Sequence, residues 1–279
     1  MDQRHLGEEP KEMSFVDHLE ELRWHLIRAV ASIFVFSTIA FLAKGFVFHD
    51  IILAPARTDF LSYRLMCELG ERVGSEALCI DQLGFTIQSR QMSGQFSMHM
   101  LVSVVIGLAC AFPYAFWEIW RFVSPGLYPQ ERKSSRGAVF FVSILFILGL
   151  LFGYYVVSPI SINFLAGYQV DPSIVNEFDL SSYISTLTTL CLSCAFMFQM
   201  PVIVYFFTKA GLLTPGVMKL YRRHAIIVIL VVGAIITPPD VISQLLISFP
   251  LMLLYEASIM VSHSIRKSDL KRLNENNTI

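Results

Sequence analysis

Apolar residues fall in six runs along the chain, roughly 24–43, 96–120, 138–159, 183–207, 224–237 and 241–261, with polar connections between them. Each is judged against the ~20 apolar residues that a helix needs to cross a bilayer core. The pattern predicts an all-α, polytopic membrane protein with six transmembrane helices. Those helices and their five connections use up the 279 residues, so no separate soluble catalytic module is expected. The expected division is a flexible leader over 1–13, an integral membrane domain over 14–262 and a tail over 263–279.

The fifth run, 224–237, is the shortest, and at 1.5 Å per residue it covers about 21 Å of a core ~30 Å thick. Either the membrane thins around the last helical pair, with Arg222 and Arg223 snorkelling at one end, or neighbouring helices shield the short one. Pro113, Pro201 and Pro250 interrupt the second, fourth and sixth runs. Each removes a backbone hydrogen bond. Together they suit a bent, cup-shaped bundle, or they are three ordinary kinks.

Composition agrees with the pattern. Hydrophobic residues make up 54% of the chain and charged ones 15%, with a mean hydropathy of +0.59, far from the usual soluble domain. The net charge of -1 excludes little, but the placement of Lys and Arg sets orientation. Arg4, Lys11, Arg23 and Arg28 precede or enter the first run. Arg132, Lys133 and Arg136 lie in the second connection, Lys209, Lys219, Arg222 and Arg223 in the fourth, and Arg266, Lys267, Lys271 and Arg272 in the tail. The third connection, 160–182, holds Asp171, Glu177 and Asp179 and no base. Both termini are therefore expected in the cytoplasm. Residues 1–23 lack an apolar run followed by a small-residue cleavage site, so the first helix is expected to be retained as an anchor.

Cys67 and Cys79 lie in the long first connection, which this orientation puts in an oxidising space if the host has a periplasm. They form a disulfide there, or they are two unpaired buried thiols. Cys191 and Cys194 spell C-x-x-C inside an apolar run, where small residues favour close helix approach over redox chemistry.

The leader places Phe15, Leu19, Leu22 and Leu26 on one helical face and acids on the other, an amphipathic helix running into the membrane from a cap at Ser14. His18, Glu21 and His25 share a face, but two turns separate the histidines by ~10.5 Å, too far for one zinc ion. No metal site is expected. In the second connection Glu131 stands among bases at the mouth of the third run. It either receives a cationic guest or pairs with Arg132, Lys133 or Arg136 at the helix start.

Three separated segments carry a resemblance: His18-Leu19-Glu20-Glu21-Leu22-Arg23 before the first run, residues 122–132 between the second and third, and Thr237-Pro238-Pro239-Asp240-Val241-Ile242-Ser243-Gln244 at the last turn. In this order they resemble the TatC family, the polytopic receptor subunit of the twin-arginine protein translocase, from about Ser14 to the end of the sixth run. The long first connection with its two cysteines departs from shorter forms of the family.

The resemblance implies a receptor and scaffold in a bacterial cytoplasmic (inner) membrane that binds the twin-arginine signal peptides of folded cargo from the cytoplasmic side. Carried over by motif, Glu21 and Glu131 face the paired arginines, while Arg23, Phe122 and Arg132 shape the site. A guanidinium offers a rigid fork to a carboxylate that a lysine ammonium does not. The resemblance further implies small single-span partners of the TatA and TatB type, self-association in a multimeric complex, and the proton motive force as energy source. Asp240 and Gln244 match a motif tied to the last two helices, although a structural cap accounts equally for Asp240. Gln199 stands where the family commonly carries a glutamate inside the fourth run, and glutamine cannot titrate. A hydrogen bond to a partner's membrane helix is what that position retains.

No G-x-x-x-x-G-K-[ST], H-E-x-x-H or G-x-S-x-G motif occurs, so neither an enzymatic activity nor a cofactor is expected, and nothing points to nucleic acid. The rival class is a small-solute secondary transporter, which needs interrupted helices in matching halves and ionisable groups near mid-bilayer. The mid-run polar set read from the sequence is thin, chiefly Gln199.

Overall fold

The computed structural model describes residues 15–74, 79, 84–123, 135–171, 173–174, 176–236 and 241–276. Long helices dominate, joined at one end by a two-stranded clamp. The leader and the first apolar run are one continuous helix, α1 (Phe15–Leu42), because no Gly or Pro interrupts those 28 residues. A short turn α2 (Lys44–Phe46), a π turn (Val47–Ile52) and a 3-10 turn (Ala54–Ala56) then lead to α3 (Leu61–Val73). Gly74, at φ 73°, closes α3 in the left-handed conformation that glycine adopts without penalty. After β1 (Thr86–Gln88), α4 (Gly94–Val123) returns alongside α1. Contacts of Phe41 with His99 and of His25 with Phe122 make the pair antiparallel.

The third run extends beyond its expected end. α5 (Ser135–Phe152) passes through a π turn (Gly153–Val157) into α6 (Ser158–Gly167), so Pro159 does not stop it. Proline is tolerated there because it occupies the first turn of α6, and Ser158 Oγ donates to Gly153 O at 2.7 Å. The third connection is correspondingly shorter than 160–182. It contains β2 (Glu177–Asp179), which pairs in parallel with β1, so the first and third connections share one face of the bundle.

Pro201 breaks the fourth run outright. α7 (Leu180–Met197) ends two residues before α8 (Met200–Lys209), whereas Pro113 and Pro250 lie within continuous helices. A turn α9 (Pro215–Leu220) precedes α10 (Arg222–Ile236) and α11 (Val241–Asn276), in which the sixth run and the basic residues after it form one helix. Among the described residues, five stretches are long and apolar enough to cross a membrane: Glu20–Leu42, Gly94–Val123, Val139–Gly167, Leu180–Lys209 and Gln244–Lys267. α10, with 15 residues, covers about 22 Å and falls short of that length.

α7 is the axis of the core. Ile184 and Leu187 pack with Val102 of α4 and Ile162 of α6, and one turn on, Leu190 and Cys194 pack with Ile229 of α10 and Ile247 and Leu251 of α11. Small residues let the backbones approach: a Cβ added at Gly153 would lie 2.8 Å from Cys191 Cα, and one at Gly149 2.7 Å from Cys194 O. Both cysteines are free thiols set in that interface.

The irregular turns are closed by tyrosines. Tyr154 and Tyr183 donate to Ile51 O and Ile52 O at 2.6 and 2.8 Å, and the Tyr63 hydroxyl lies 2.9 Å from Pro55 O and 3.1 Å from Pro159 O. Carbonyls left over by a non-helical backbone thereby find donors, as burial away from water demands. Burial raises the Tyr63 phenol above its ordinary range, which keeps it a donor. Cys67 and Cys79 are joined by a disulfide across 12 positions of this connection. At the strands, Arg90 pairs with Glu177 at 3.3 Å and its backbone N–H donates to Asp179 Oδ1 at 3.2 Å. The Ser181 hydroxyl first, and that N–H second, hold Asp179 below the usual carboxylate range.

Candidate functional site

Of the residues expected to read a signal peptide, Glu21, Arg23 and Phe122 lie at the end of the bundle opposite the clamp. α1 presents Glu21 half-buried and Arg23 exposed there. α4, running the other way, delivers half-buried Phe122 in its final turn, with its ring 6.5 Å from that of His25. Antiparallel packing is what brings these positions, a hundred residues apart, to one level. Glu131, Arg132 and Asp240 lie outside the described residues.

A buried carboxylate that the sequence reading passed over sits directly beneath. Glu118 is 1% exposed and accepts from the Tyr114 hydroxyl at 2.9 Å on Oε1, while Oε2 lies 2.5 Å from His25 Nδ1, where the imidazole N–H donates. His25, itself buried, thus serves a partner on another helix. Glu118 was legible, since it is the one acid in the α4 sequence, and an ionisable residue in an apolar run asks for a partner. The partner was not, because His25 precedes it by 93 positions. Outside this pair, Arg121 lies over the Trp117 ring at 4.9 Å, its charge directed along the helix end.

Gln199 occupies the break between α7 and α8. Its Nε2 lies 3.4 Å from both Val142 O and Ala195 O, while Oε1 is buried with no hydrogen-bond partner. A groove of about 240 Å³ lies beside the same helices, lined by Phe141, Val142, Pro201, Val202, Tyr205 and Phe206 among others. Gln244 is engaged within the fold: its Nε2 donates to Leu230 O at 3.2 Å and ties the start of α11 to α10. At the other end of that helix pair, Arg222 forms an ion pair with Glu256, and Tyr255 donates to Met218 O at 2.8 Å.

Comparison with known proteins places this arrangement. Residues 17–250 match the family described as Sec-independent protein translocase protein (TatC). The Sec-independent protein translocase protein TatC of Blattabacterium sp. subsp. Periplaneta americana (strain BPLAN) is 38% identical over 261 residues, covering 93% of this chain and 98% of that protein. TatCy of Bacillus subtilis (strain 168) is 30% identical, covering 90% of this chain and 89% of its own. Among solved structures, the twin arginine translocase receptor TatC in DDM superposes with a TM-score of 0.69 at 29% identity, over 88% of this chain and 99% of that one. Since the likeness runs through the membrane helices from the leader to the last span, the chain belongs to the TatC family and is a multi-pass membrane component of the Sec-independent protein translocase, not an enzyme.

Proposed function

We propose that this chain is the receptor and core scaffold of a twin-arginine translocation system in a bacterial inner membrane. It binds the signal peptides of folded cargo at its cytoplasmic face, the end carrying Glu21 and Phe122. Both termini lie on that side. α10 is the sixth transmembrane helix, spanning a locally thinned bilayer with Arg222 and Arg223 at its inner end, and the six helices form a cup.

The observation that carries the reading is that Glu21 and Phe122 lie at the same end of the antiparallel α1–α4 pair. Glu21 and Glu131 face the two arginines, and Arg23, Phe122 and Arg132 shape the site. A single exposed ion pair contributes only about 0–1 kcal/mol. Selectivity for arginine therefore comes from holding two guanidinium groups at once in a partly desolvated mouth, with the signal's apolar stretch adding burial at about 25 cal/mol per Å². Single-span subunits of the TatA and TatB type are recruited to the loaded receptor, which self-associates, and the proton motive force drives export. Gln199, half-buried at the break between α7 and α8, offers a hydrogen bond to a partner's membrane helix, and Asp240 is the motif position in the connection between α10 and α11.

Photocrosslinking of a twin-arginine precursor to membranes tests the reading. Glu21→Ala and Glu131→Ala each lower crosslinking while the protein remains inserted, and a twin-lysine precursor crosslinks poorly. Unchanged crosslinking in both variants defeats the site assignment. Solute uptake by vesicles containing this chain alone would favour a transporter instead.

A further inference from the structure

The His25–Glu118 pair stands outside the residues assigned to recognition, yet it lies one helical turn from two of them. Glu21 precedes His25 by four residues on α1, and Phe122 follows Glu118 by four on α4, so each pair shares a helix face about 6 Å apart along the axis. Because the helices are antiparallel, both steps lead towards the same end of the bundle. The bond between His25 and Glu118 thus closes a four-cornered frame whose outer corners are Glu21 and Phe122.

We propose that this hydrogen bond is a positioning latch for twin-arginine recognition, fixing the register of α1 against α4 and with it the separation of Glu21 from Phe122. The inference rests on the receptor reading above. Its physical basis is directionality. Apolar packing between α1 and α4 resists separation but distinguishes poorly between neighbouring registers, whereas a buried carboxylate bonded on both oxygens has one satisfactory geometry. Burial makes sliding costly, since any slip leaves Glu118 or His25 without its partner in an apolar surrounding. Tyr114 holds the carboxylate from its own helix, Arg121 on α4 is the charged neighbour of Glu118, and Arg28 on α1 acts on Tyr114.

The test measures the Kd of the detergent-solubilised full chain for a twin-arginine signal peptide and for its twin-lysine version. His25→Phe keeps ring volume and inserts readily, but removes the donor; it raises the twin-arginine Kd about tenfold and narrows the arginine-to-lysine ratio, as losing one hydrogen bond to a charged group would. The double variant His25→Phe with Glu118→Met replaces both partners by apolar groups, which restores thermal stability while recognition stays impaired. Glu118→Gln keeps an acceptor and the shape, and its Kd stays within about threefold of the unsubstituted chain. Native Kd and native ratio in either His25→Phe protein overturn the latch. So does a Glu118→Gln protein as weak as His25→Phe. An unsubstituted chain that fails to distinguish the two peptides overturns the receptor reading itself, and is recognised as such because no variant is involved.

Discussion

Gly107 fixes how near α1 and α4 can come, and replacing it with alanine tests whether that approach supports the site. A Cβ built at Gly107 would lie 2.1 Å from Ser37 Oγ, 2.6 Å from Ser37 N and 2.7 Å from Ser37 Cα. The hydroxyl can rotate away. The backbone cannot, and its Cα would be 0.7 Å inside the 3.4 Å at which ordinary contact begins, so the helices must part by several tenths of an ångström over a long interface. Overpacking of this kind costs about 1–3 kcal/mol, and the better helix propensity of alanine returns at most about 1 kcal/mol. The expected net loss of about 1–2 kcal/mol lowers the apparent Tm by roughly 2–8 °C for a chain of this size. Thermal unfolding of the solubilised protein, followed by gel filtration, reads it. Gly137→Ala is the control, since nothing lies within 4 Å of its Cβ position. Adding Ser37→Ala to Gly107→Ala does not restore stability, because the clash is with backbone. A Gly107→Ala protein that unfolds within a degree of the Gly137→Ala control would refute the close-approach argument.

Two further outcomes concern the clamp face. Replacing Cys67 and Cys79 by serine opens a loop of about a dozen residues and lowers stability by about 3 kcal/mol on the loop-closure account, seen as a fall in Tm that added reductant reproduces in the unsubstituted chain. Asp179 has a folded pKa below its unfolded one, so its contribution is intact above the ordinary aspartate value near 3.9 and is lost as pH falls through the lowered value. The protection factor of the Arg90 amide against hydrogen exchange should fall across that acid window, and Asp179→Asn should remove that change; a constant protection factor in the unsubstituted chain would contradict it.

The pattern of apolar runs by itself determined the class of this protein, because a bilayer core sets a length scale that five stretches among the described residues meet. It marked Pro113, Pro201 and Pro250 alike as points of disturbance, of which only Pro201 interrupts its helix, and it marked the C-x-x-C pair as packing residues. It misjudged Pro159, since whether a proline ends a helix depends on the turn before it, and here a π turn and Ser158 absorb the disruption. Glu21, Arg23 and Phe122 were legible as motif residues, but their lying at one end of the bundle was decided by the antiparallel packing of α1 on α4. Glu118 shows the division most plainly: its charge in an apolar run was visible in the letters, while its satisfaction by a histidine 93 positions earlier exists only once the helices are side by side. Periodicity is local and can be read from neighbours in the chain, whereas the pairing of buried polar groups depends on which helices touch, and that is set by the shapes of whole faces.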